Sequence, residues 1–207
     1  MLEKILSHFR FHRNNTQHKY AVYFSAGSVS LVQVSAGQIS QCITVSYQAE
    51  LWQPALRAVL AKLTAGSYLH LILAPEFYQL VQLDKPALND VELLQALPWQ
   101  VKDLVTIPAE DMITDYIDLP GYNTQQAKIN VVVARQSWLR QVVHCVSQAD
   151  KQLSSIQPAE WLAHHLIPAS RQPCMLIIHQ PEQEVLLQIV QDGQLGVLAR
   201  GRGGPLG

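Results

Sequence analysis

The sequence predicts an α/β protein in which two sets of three consecutive strands each begin a lobe. Each set consists of short strand-like runs separated by residues that favour tight turns. Gly27 and the pair Ala36-Gly37 separate the strands of the first set, and Asp192-Gly193 is a strong type I′ turn signal in the second. The first set covers 21–26, 29–35 and 42–47, and the second covers 174–179, 184–190 and 194–200.

Composition places the chain among folded proteins with a substantial core. It has 207 residues, of which 48% are hydrophobic and 15% are charged, a balance that excludes a disordered chain. The formal net charge is -1 and the isoelectric point lies near 6.7, so the chain has no global electrostatic attraction for nucleic acid. Nucleic acid is therefore not an expected partner.

Cysteine usage and hydropathy predict a cytoplasmic protein. Cys42, Cys145 and Cys174 are far apart and odd in number, with no CxxC pair, which suits a reducing compartment and argues against a structural zinc site. No apolar run of signal-peptide length follows the first lysine. The longest apolar runs, of about six residues, fall far short of the roughly 20 needed to span a bilayer.

Helical and strand-like segments alternate between the two strand sets. Apolar residues recur at helical spacing in 53–65, and Gly66 is expected to end this helix as a C-cap. The mostly apolar run 69–74 predicts a buried strand. Another buried strand at 127–134 and helices at 137–150 and 160–167 follow later in the chain.

Residues 87–120 form the stretch around which the rest of the chain is organised, a helix that leads into a strand. Asn89 is a good N-cap, and Glu92 lies three residues later, which is the spacing of a capping box. Apolar residues then recur every three or four positions, as in an amphipathic helix. Pro98 lies inside this pattern and is expected to make the helix kink or restart. Residues 112–119 predict the strand that follows.

Three regions are expected along the chain. Residues 1–19 form a short basic lead, residues 20–170 a first lobe with an insertion at about 77–119, and residues 171–207 the start of a second lobe. The lead places its apolar residues on one helical face. It is therefore either a weak membrane-surface or partner-docking helix, or a frayed terminal helix.

Scattered polar residues predict neither a metal site nor a hydrolase. The eight histidines do not cluster, and adjacent ones such as His164-His165 point apart on a helix. Asp115 and Asp118, in an acidic cluster that begins at Glu110, fall on opposite strand faces, which favours a solvated strand edge over a metal or basic-partner patch. Neither G-x-S-x-G nor GxxxxGK[ST] occurs. Neither catalytic residues nor a bound metal is expected.

The order of the elements and two segments resemble a known family. Two lobes that each begin with a three-stranded meander resemble the actin-like ATPase (ribonuclease H-like) fold. Within that fold, residues 95–119 and 129–146 resemble the PilM family of type IV pilus assembly proteins. Within the family they are most similar to the MshI branch, which serves the mannose-sensitive haemagglutinin (MSHA) pilus. The LPW at 97–99 is also similar to the cytoplasmic domain of the GspL proteins of type II secretion.

This resemblance implies a cytoplasmic actin-like platform at the inner-membrane face. Such a platform engages an inner-membrane assembly partner of the PilN type and links it to the assembly machinery, including a motor ATPase. PilM relatives take up a peptide from the membrane partner, which here implies a groove between the first meander and the segment 77–119. An actin-like second lobe needs more strands than residues 171–207 supply, so a truncated second lobe is expected.

PilM relatives bind ATP through an Asp-Ile-Gly type of turn, and the matching positions here depart from it. Tyr23 stands at the aspartate position, Ser25 near the glycine and Ser30 at the basic position. His179, followed by Gln180-Pro181, stands where the second such turn belongs. A tyrosine cannot coordinate magnesium as a carboxylate does, and a proline lacks an amide for phosphate. No cofactor is therefore expected, with ATP and magnesium as the alternative.

Three hypotheses follow from the sequence. The first is a non-catalytic cytoplasmic scaffold of MSHA-type pilus biogenesis, the second an ATP-binding nucleotide switch, and the third a peripheral membrane protein held by residues 1–13. Trp99 is the expected interface residue, because Pro98 displaces it from a regular helical face and aromatic residues are favoured at interfaces. The residues expected to bind the partner are Leu97, Pro98, Trp99, Val101 and Tyr116.

Overall fold

The computed structural model describes residues 18–48, 51–119, 127–163, 165, 167, 170–179 and 184–202. The predicted lead helix, the segment proposed to touch a membrane, and the Gln180-Pro181 turn lie outside these residues. No helix of the described part is long and apolar enough to cross a membrane.

The described residues form strands and helices in the order that follows. The strands are β1 His18–Phe24, β2 Ser28–Ser35, β3 Gln38–Ser46, β4 Tyr68–Leu73, β5 Tyr78–Asp84, β6 Met112–Leu119, β7 Lys128–Arg135, β8 Gln152–Pro158, β9 Cys174–His179, β10 Glu184–Gln191 and β11 Gln194–Arg202. The helices are α1 Trp52–Leu60, α2 Asp90–Val101, α3 Gln136–Gln148 and α4 Ala159–Ala163.

The largest sheet has the strand order β3-β2-β1-β4-β8. The first three strands form an antiparallel meander, and β4 and β8 join it in parallel pairs. Val22 on β1 lies opposite Leu31 on β2 and Leu71 on β4, and none of these side chains has exposed surface. Each such burial contributes about 2 kcal/mol. The helix α1 covers β2 and β3, and α3 packs on α1 and β8.

Two smaller sheets have the orders β5-β7-β6 and β11-β10-β9. The second of these is the predicted C-terminal meander, so both three-strand sets are confirmed. Asp192 and Gly193 have φ values of 51° and 73°, and Ala36 and Gly37 have 49° and 79°. Positive φ at both central residues is what a type I′ turn requires. The turn predictions at these two positions are therefore confirmed.

The helix α1 is shorter than the predicted 53–65, and the prediction that Gly66 caps it is wrong. The helix ends at Leu60, and the amides of Lys62 and Leu63 each bond a carbonyl only three residues back. Such tight bonds are common where a helix ends and the chain turns. Gly66 does have a positive φ of 71°, but its amide donates to the carbonyl of Asp150.

The helix α2 runs unbroken from Asp90 to Val101, so the prediction that it restarts at Pro98 is wrong. A proline removes only one intrahelical donor. The predicted capping box is confirmed, because Asn89 Oδ1 accepts from the amides of Val91 and Glu92 at 3.1 and 3.0 Å while Glu92 Oε2 accepts from the Asn89 amide. This cap and a buried apolar face stabilise the helix on both sides of the proline.

The strand β8 was not predicted. Its sequence, QLSSIQP, has only two large apolar residues and does not alternate. It forms because β4 offers a parallel partner, on which Leu69 lies opposite Leu153 and His70 opposite Ser155. The His70 ring nitrogen and the Ser155 hydroxyl also form a hydrogen bond of 2.8 Å. Tertiary pairing therefore outweighs a weak local signal here.

The chain divides into two compact units. The described residues of 1–79, 105–113 and 133–159 form the first unit, and those of 80–104, 114–132 and 160–207 form the second. Each unit therefore combines segments that are distant in the chain. The lobe boundaries expected from the sequence stay a prediction.

Candidate functional site

An aromatic cluster lies at the end of β1 in the first unit. Phe24 has no exposed surface, and its ring meets Phe77 and Trp138 edge-on, with centroids 5.1 and 5.2 Å apart. Trp52 makes a third edge contact at 5.6 Å, and Tyr47 lies 6.0 Å away. Edge-to-face contacts of this kind contribute about 1 kcal/mol each beyond their burial. These aromatic contacts therefore hold the side chains at this end of β1 in fixed positions.

A pocket of about 410 Å³ opens beside this cluster. One wall is the stacked pair of Phe77 and Trp138, whose ring centroids are 4.5 Å apart at an interplanar angle of 19°. Arg135 and Glu76 supply one cation and one anion, and the remaining lining is mixed. The pocket is lined by Glu76, Phe77, Tyr78, Gln79, Thr106, Ile107, Arg135 and Trp138. Apolar walls with a few polar groups are typical of binding sites.

Gln79 joins two of the segments that line the pocket. Its side-chain nitrogen donates to Thr106 Oγ1 at 2.5 Å, and its side-chain oxygen accepts from the Thr106 amide at 2.9 Å. The start of β5 is therefore fixed to the segment that precedes β6. These two hydrogen bonds from one amide side chain give the pocket a defined shape without a ligand.

Asp111 caps α3, the helix that carries Trp138 of the pocket wall. Its carboxylate accepts from the Ser137 amide at 2.7 Å and from the Ser137 hydroxyl at 2.8 Å, and Arg135 lies 3.8 Å away. The hydrogen bonds from Ser137 and the charge of Arg135 lower the pKa of Asp111. The residue before α3 provides no side-chain cap, so Asp111 takes that role from another segment. Trp138, next to Ser137, is oriented by this cap.

The turn between β1 and β2, at the position where the resemblance implies a phosphate-binding turn, uses its amides internally. The Ser25 amide donates to the Ser28 carbonyl at 2.9 Å, and the Ala26 amide donates to Glu76 Oε1 at 3.3 Å. Tyr47 donates its hydroxyl to the Ser25 carbonyl. Burial raises the pKa of Tyr47, and the Glu76 carboxylate adds to that rise. The Glu76 carboxylate therefore accepts from an amide that a bound phosphate would need.

The structure places Tyr23 and Ser30 opposite each other on β1 and β2. Ser30 Oγ lies 2.8 Å from Thr44 Oγ1, and the Tyr23 side chain is partly exposed. Ser25 lies in the turn just described. His179 ends β9, and its side chain lies outside the described residues.

The residues predicted to bind a partner are divided between the core and the surface of α2. Leu97 and Val101 have no exposed surface, so they hold the helix in place and cannot touch another protein. Trp99 is 68% exposed, and Pro98 is half-buried. Tyr116 donates its hydroxyl to Asp90 Oδ1 at 2.9 Å, and burial, followed by that bond, raises the pKa of Tyr116 to about 12. Partner binding by this set stays a prediction.

The acidic cluster around β6 does not bring together three ligands for a metal, and neither does any other part of the described chain. Asp118 pairs with Lys85 at 2.6 Å, and Lys128 pairs with Asp84 at 2.9 Å. Asp115 is half-buried, and that burial raises its pKa to about 6. Asp115 and Asp118 therefore lie in different surroundings, one half-buried and the other in an exposed ion pair.

Sequence reasoning did not identify the residues of this pocket, although the resemblance implies a groove between the first meander and 77–119. The aromatic residues are far apart in the chain, and neither Phe77 nor Trp138 is among the residues predicted to bind a partner. One signal was available: Phe24, Phe77 and Trp138 each stand at an end of a strand or helix. Element ends in parallel α/β arrangements often converge at one edge of a sheet.

No family model matches the chain, and no curated protein matches it either. Solved structures do match. One is the cytoplasmic domain of EpsL, an inner membrane component of the type II secretion system of Vibrio cholerae, with a TM-score of 0.63, 15% identity, and coverage of 89% of this chain and 71% of that one. Another is a PilM-PilN type IV pilus biogenesis complex, with a TM-score of 0.70, 13% identity, and coverage of 91% of this chain and 62% of that one.

A third similar structure is a protein of unknown function from Bacteroides thetaiotaomicron that has the actin-like ATPase fold. Its TM-score is 0.58 at 8% identity, over 90% of this chain and 70% of that one. At such identities the likeness bears on the fold and not on function. The predicted fold class is confirmed: this chain has an actin-like ATPase fold.

Proposed function

We propose that the protein is a non-catalytic scaffold of a type IV pilus assembly system, of the MSHA type that its sequence resembles. In this proposal it lies in the cytoplasm at the inner membrane and binds a cytoplasmic segment of a PilN-type membrane protein. The observation that carries the proposal is the preformed pocket beside the aromatic cluster. A motor ATPase is a further proposed partner.

The similar structures support this class of function. One of them is a complex of PilM with PilN in type IV pilus biogenesis, and another belongs to a component of the type II secretion system. The secretion component is described as an inner membrane component. The pocket also agrees with the place expected from the sequence, because Phe77 and Thr106 belong to the segment 77–119 while Phe77 packs on Phe24 of the first meander.

The pocket fits one stretch of an extended peptide. Its volume of about 410 Å³ holds a few side chains, and the stacked rings of Phe77 and Trp138 offer an apolar wall to one of them. Arg135 is half-exposed, so it can pair with a carboxylate of the peptide. Tyr78 and Gln79 begin β5, which is an edge strand of its sheet in the described chain. A peptide in the pocket can therefore extend by strand addition.

The alternative of an ATP-dependent switch has less physical support. The Ala26 amide of the first turn donates to Glu76, and the Ser25 amide donates to Ser28. A phosphate would have to displace a carboxylate of the same charge from this turn. Tyr23 stands where a carboxylate would hold magnesium.

The proposal is tested with a synthetic peptide that covers the cytoplasmic segment of the PilN-type protein from the same organism. Fluorescence anisotropy should give saturable binding to the wild-type protein. Trp138→Leu keeps an apolar side chain but removes the stacked wall, so we expect at least tenfold weaker binding. Ile39→Ala, at a residue that is 69% exposed on β3, is the matched control and should bind as the wild type does.

The same titration decides between the pocket and the interface predicted from the sequence. Loss of affinity in Trp99→Ala, with Trp138→Leu unchanged, would move the partner site to α2 and overturn the pocket assignment. Absence of binding to the wild type would overturn the scaffold proposal itself.

Calorimetric titration with magnesium-ATP tests the nucleotide alternative. We expect no heat of binding at protein concentrations that detect a dissociation constant of about 100 μM, which corresponds to about 5.5 kcal/mol. Saturable, magnesium-dependent binding would instead make the nucleotide switch the leading function.

A further inference from the structure

The helix α2 is apolar on two opposite faces. Leu93, Leu97 and Val101 form one ridge at four-residue spacing, and none of them has exposed surface. Val91 and Trp99 belong to a ridge on the other side and are 66% and 68% exposed. Exposed apolar side chains that cluster on one surface mark an interaction site. The outer ridge of α2 therefore has the composition of a surface that another helix covers.

The outer ridge is made of residues four positions apart. Val91, Gln95 and Trp99 follow one another along it at this spacing, and Leu94 and Pro98 run beside them. Leu94 is 40% exposed, and Leu88 and Leu104, which flank the helix, are 39% and 58% exposed. Rows at four-residue spacing take part in both common classes of helix contact, including the one in which the two helices are nearly aligned.

This ridge is held rigidly. The capping box at Asn89 fixes the start of α2, and the Tyr116 hydroxyl bonds Asp90 from β6. The buried leucines fix its inner face. Docking onto α2 would therefore order few new groups, which lowers the entropic cost of association.

We propose that a second copy of this chain covers the outer ridge, through an antiparallel pairing of the two α2 helices about a two-fold axis. In such a contact each residue meets its complement on the other copy. An axis at Gln95 places Val91 of each copy against Trp99 of the other, so a small apolar side chain packs on each indole ring. The ridge is thus complementary to itself.

The charges of α2 favour the antiparallel arrangement. Asp90 and Glu92 lie in its first turn, and Lys102 follows its last residue. Lys102 forms no salt bridge with another residue of the described chain. Antiparallel pairing brings the acidic turn of one copy toward Lys102 of the other, and it also aligns the two helix dipoles favourably.

Sedimentation velocity over a range of protein concentrations tests the proposal on the whole chain. The wild type should show a reversible monomer–dimer equilibrium, and Trp99→Ala should raise the dissociation constant at least tenfold. Trp99 is mostly exposed, so this variant is expected to fold normally. Ile39→Ala serves again as the control, since it removes an equally exposed apolar side chain from the other unit.

A cysteine at the axis gives a second readout. Gln95→Cys should form a disulfide between two copies under mild oxidation, whereas Gln100→Cys, on another side of the same helix, should not. Both are made with Cys42 and Cys174 replaced by serine, because these native thiols are not buried.

The outcomes separate the possible partners. A wild type that stays monomeric, or a dimer that Trp99→Ala leaves intact, overturns the proposal. A monomer whose binding to the PilN-type peptide depends on Trp99 overturns it too, and assigns the ridge to that protein. The first two results leave the pocket assignment unaffected, and the third overturns it as well if Trp138→Leu binds the peptide as the wild type does.

Discussion

Trp138 and Trp99 both lie on helices, yet their surroundings in the structure differ. Trp138 stacks on Phe77 and forms the wall of a pocket, while Trp99 is 68% exposed on the outer ridge of α2. A pocket can bind an extended segment, whereas an exposed apolar helix ridge can pack against another helix. A tryptophan side chain can thus favour either kind of partner, and the residues around it determine which one.

Removing the base of the pocket should have the largest effect. Phe24→Ala deletes a fully buried ring that touches four other aromatic residues, so we expect a loss of about 3–5 kcal/mol in the free energy of unfolding. Urea denaturation at neutral pH measures it. Ile39→Ala should stay within about 0.5 kcal/mol of the wild type. Equal losses in the two variants would contradict the central role of the cluster.

The two tryptophans should differ in their effect on stability. Trp138→Ala removes a ring that packs on Phe24, Trp52 and Phe77, and should cost about 2 kcal/mol. Trp99→Ala should cost less than about 0.5 kcal/mol. Urea denaturation of the two variants, measured under the same conditions, tests this difference in the free energy of unfolding. A destabilised Trp99→Ala would mean that its indole supports the fold and is not an available surface.

Asp115, beside the tyrosine that holds α2, should make stability depend on pH. Burial raises its pKa from 3.8 to about 6, so the folded state binds more protons than the unfolded state between these values. The contribution of protonated Asp115 to the free energy of unfolding is complete below pH 4 and disappears as the pH rises through 6. Asp115→Asn should therefore gain about 1–2 kcal/mol over the wild type between pH 4 and 7, after allowance for solvent screening. A constant difference across this range would contradict the assigned cause.

Loss of the cap of α2 should destabilise the fold less than loss of Phe24 or Trp138. Asn89→Ala removes an acceptor for two amides and should cost about 1 kcal/mol. Asn89→Asp keeps the cap and should restore that loss. In the proposed dimer, Asn89→Ala should also weaken self-association, since the ridge frays at its start. Peptide binding to the pocket should not change.

Local patterns predicted the parts of this fold that local chemistry determines. The two type I′ turns and the capping box at Asn89 each depend on residues within a few positions of one another, and all three are present. β8 was missed because its polar sequence becomes a strand only beside β4. The residues of the pocket were not identified, because Phe24, Phe77 and Trp138 meet only in the folded chain. Leu97 and Val101 lie on the buried face that the apolar spacing predicts. Trp99 is exposed, but the predicted displacement by Pro98 is wrong, because α2 continues through the proline.

The pairing of β4 with β8 has a consequence for the order in which the chain folds during synthesis. β1 is synthesised before β4 and can pair with one of its edges at once. The other edge of β4 stays unpaired until β8 is synthesised, in which Leu153 aligns with Leu69. Contacts between such distant residues form slowly, and an open strand edge invites pairing with other chains. Until the ribosome has released residues 152–158, the nascent chain carries this open edge, and chaperones that bind exposed strands would be most needed in that interval.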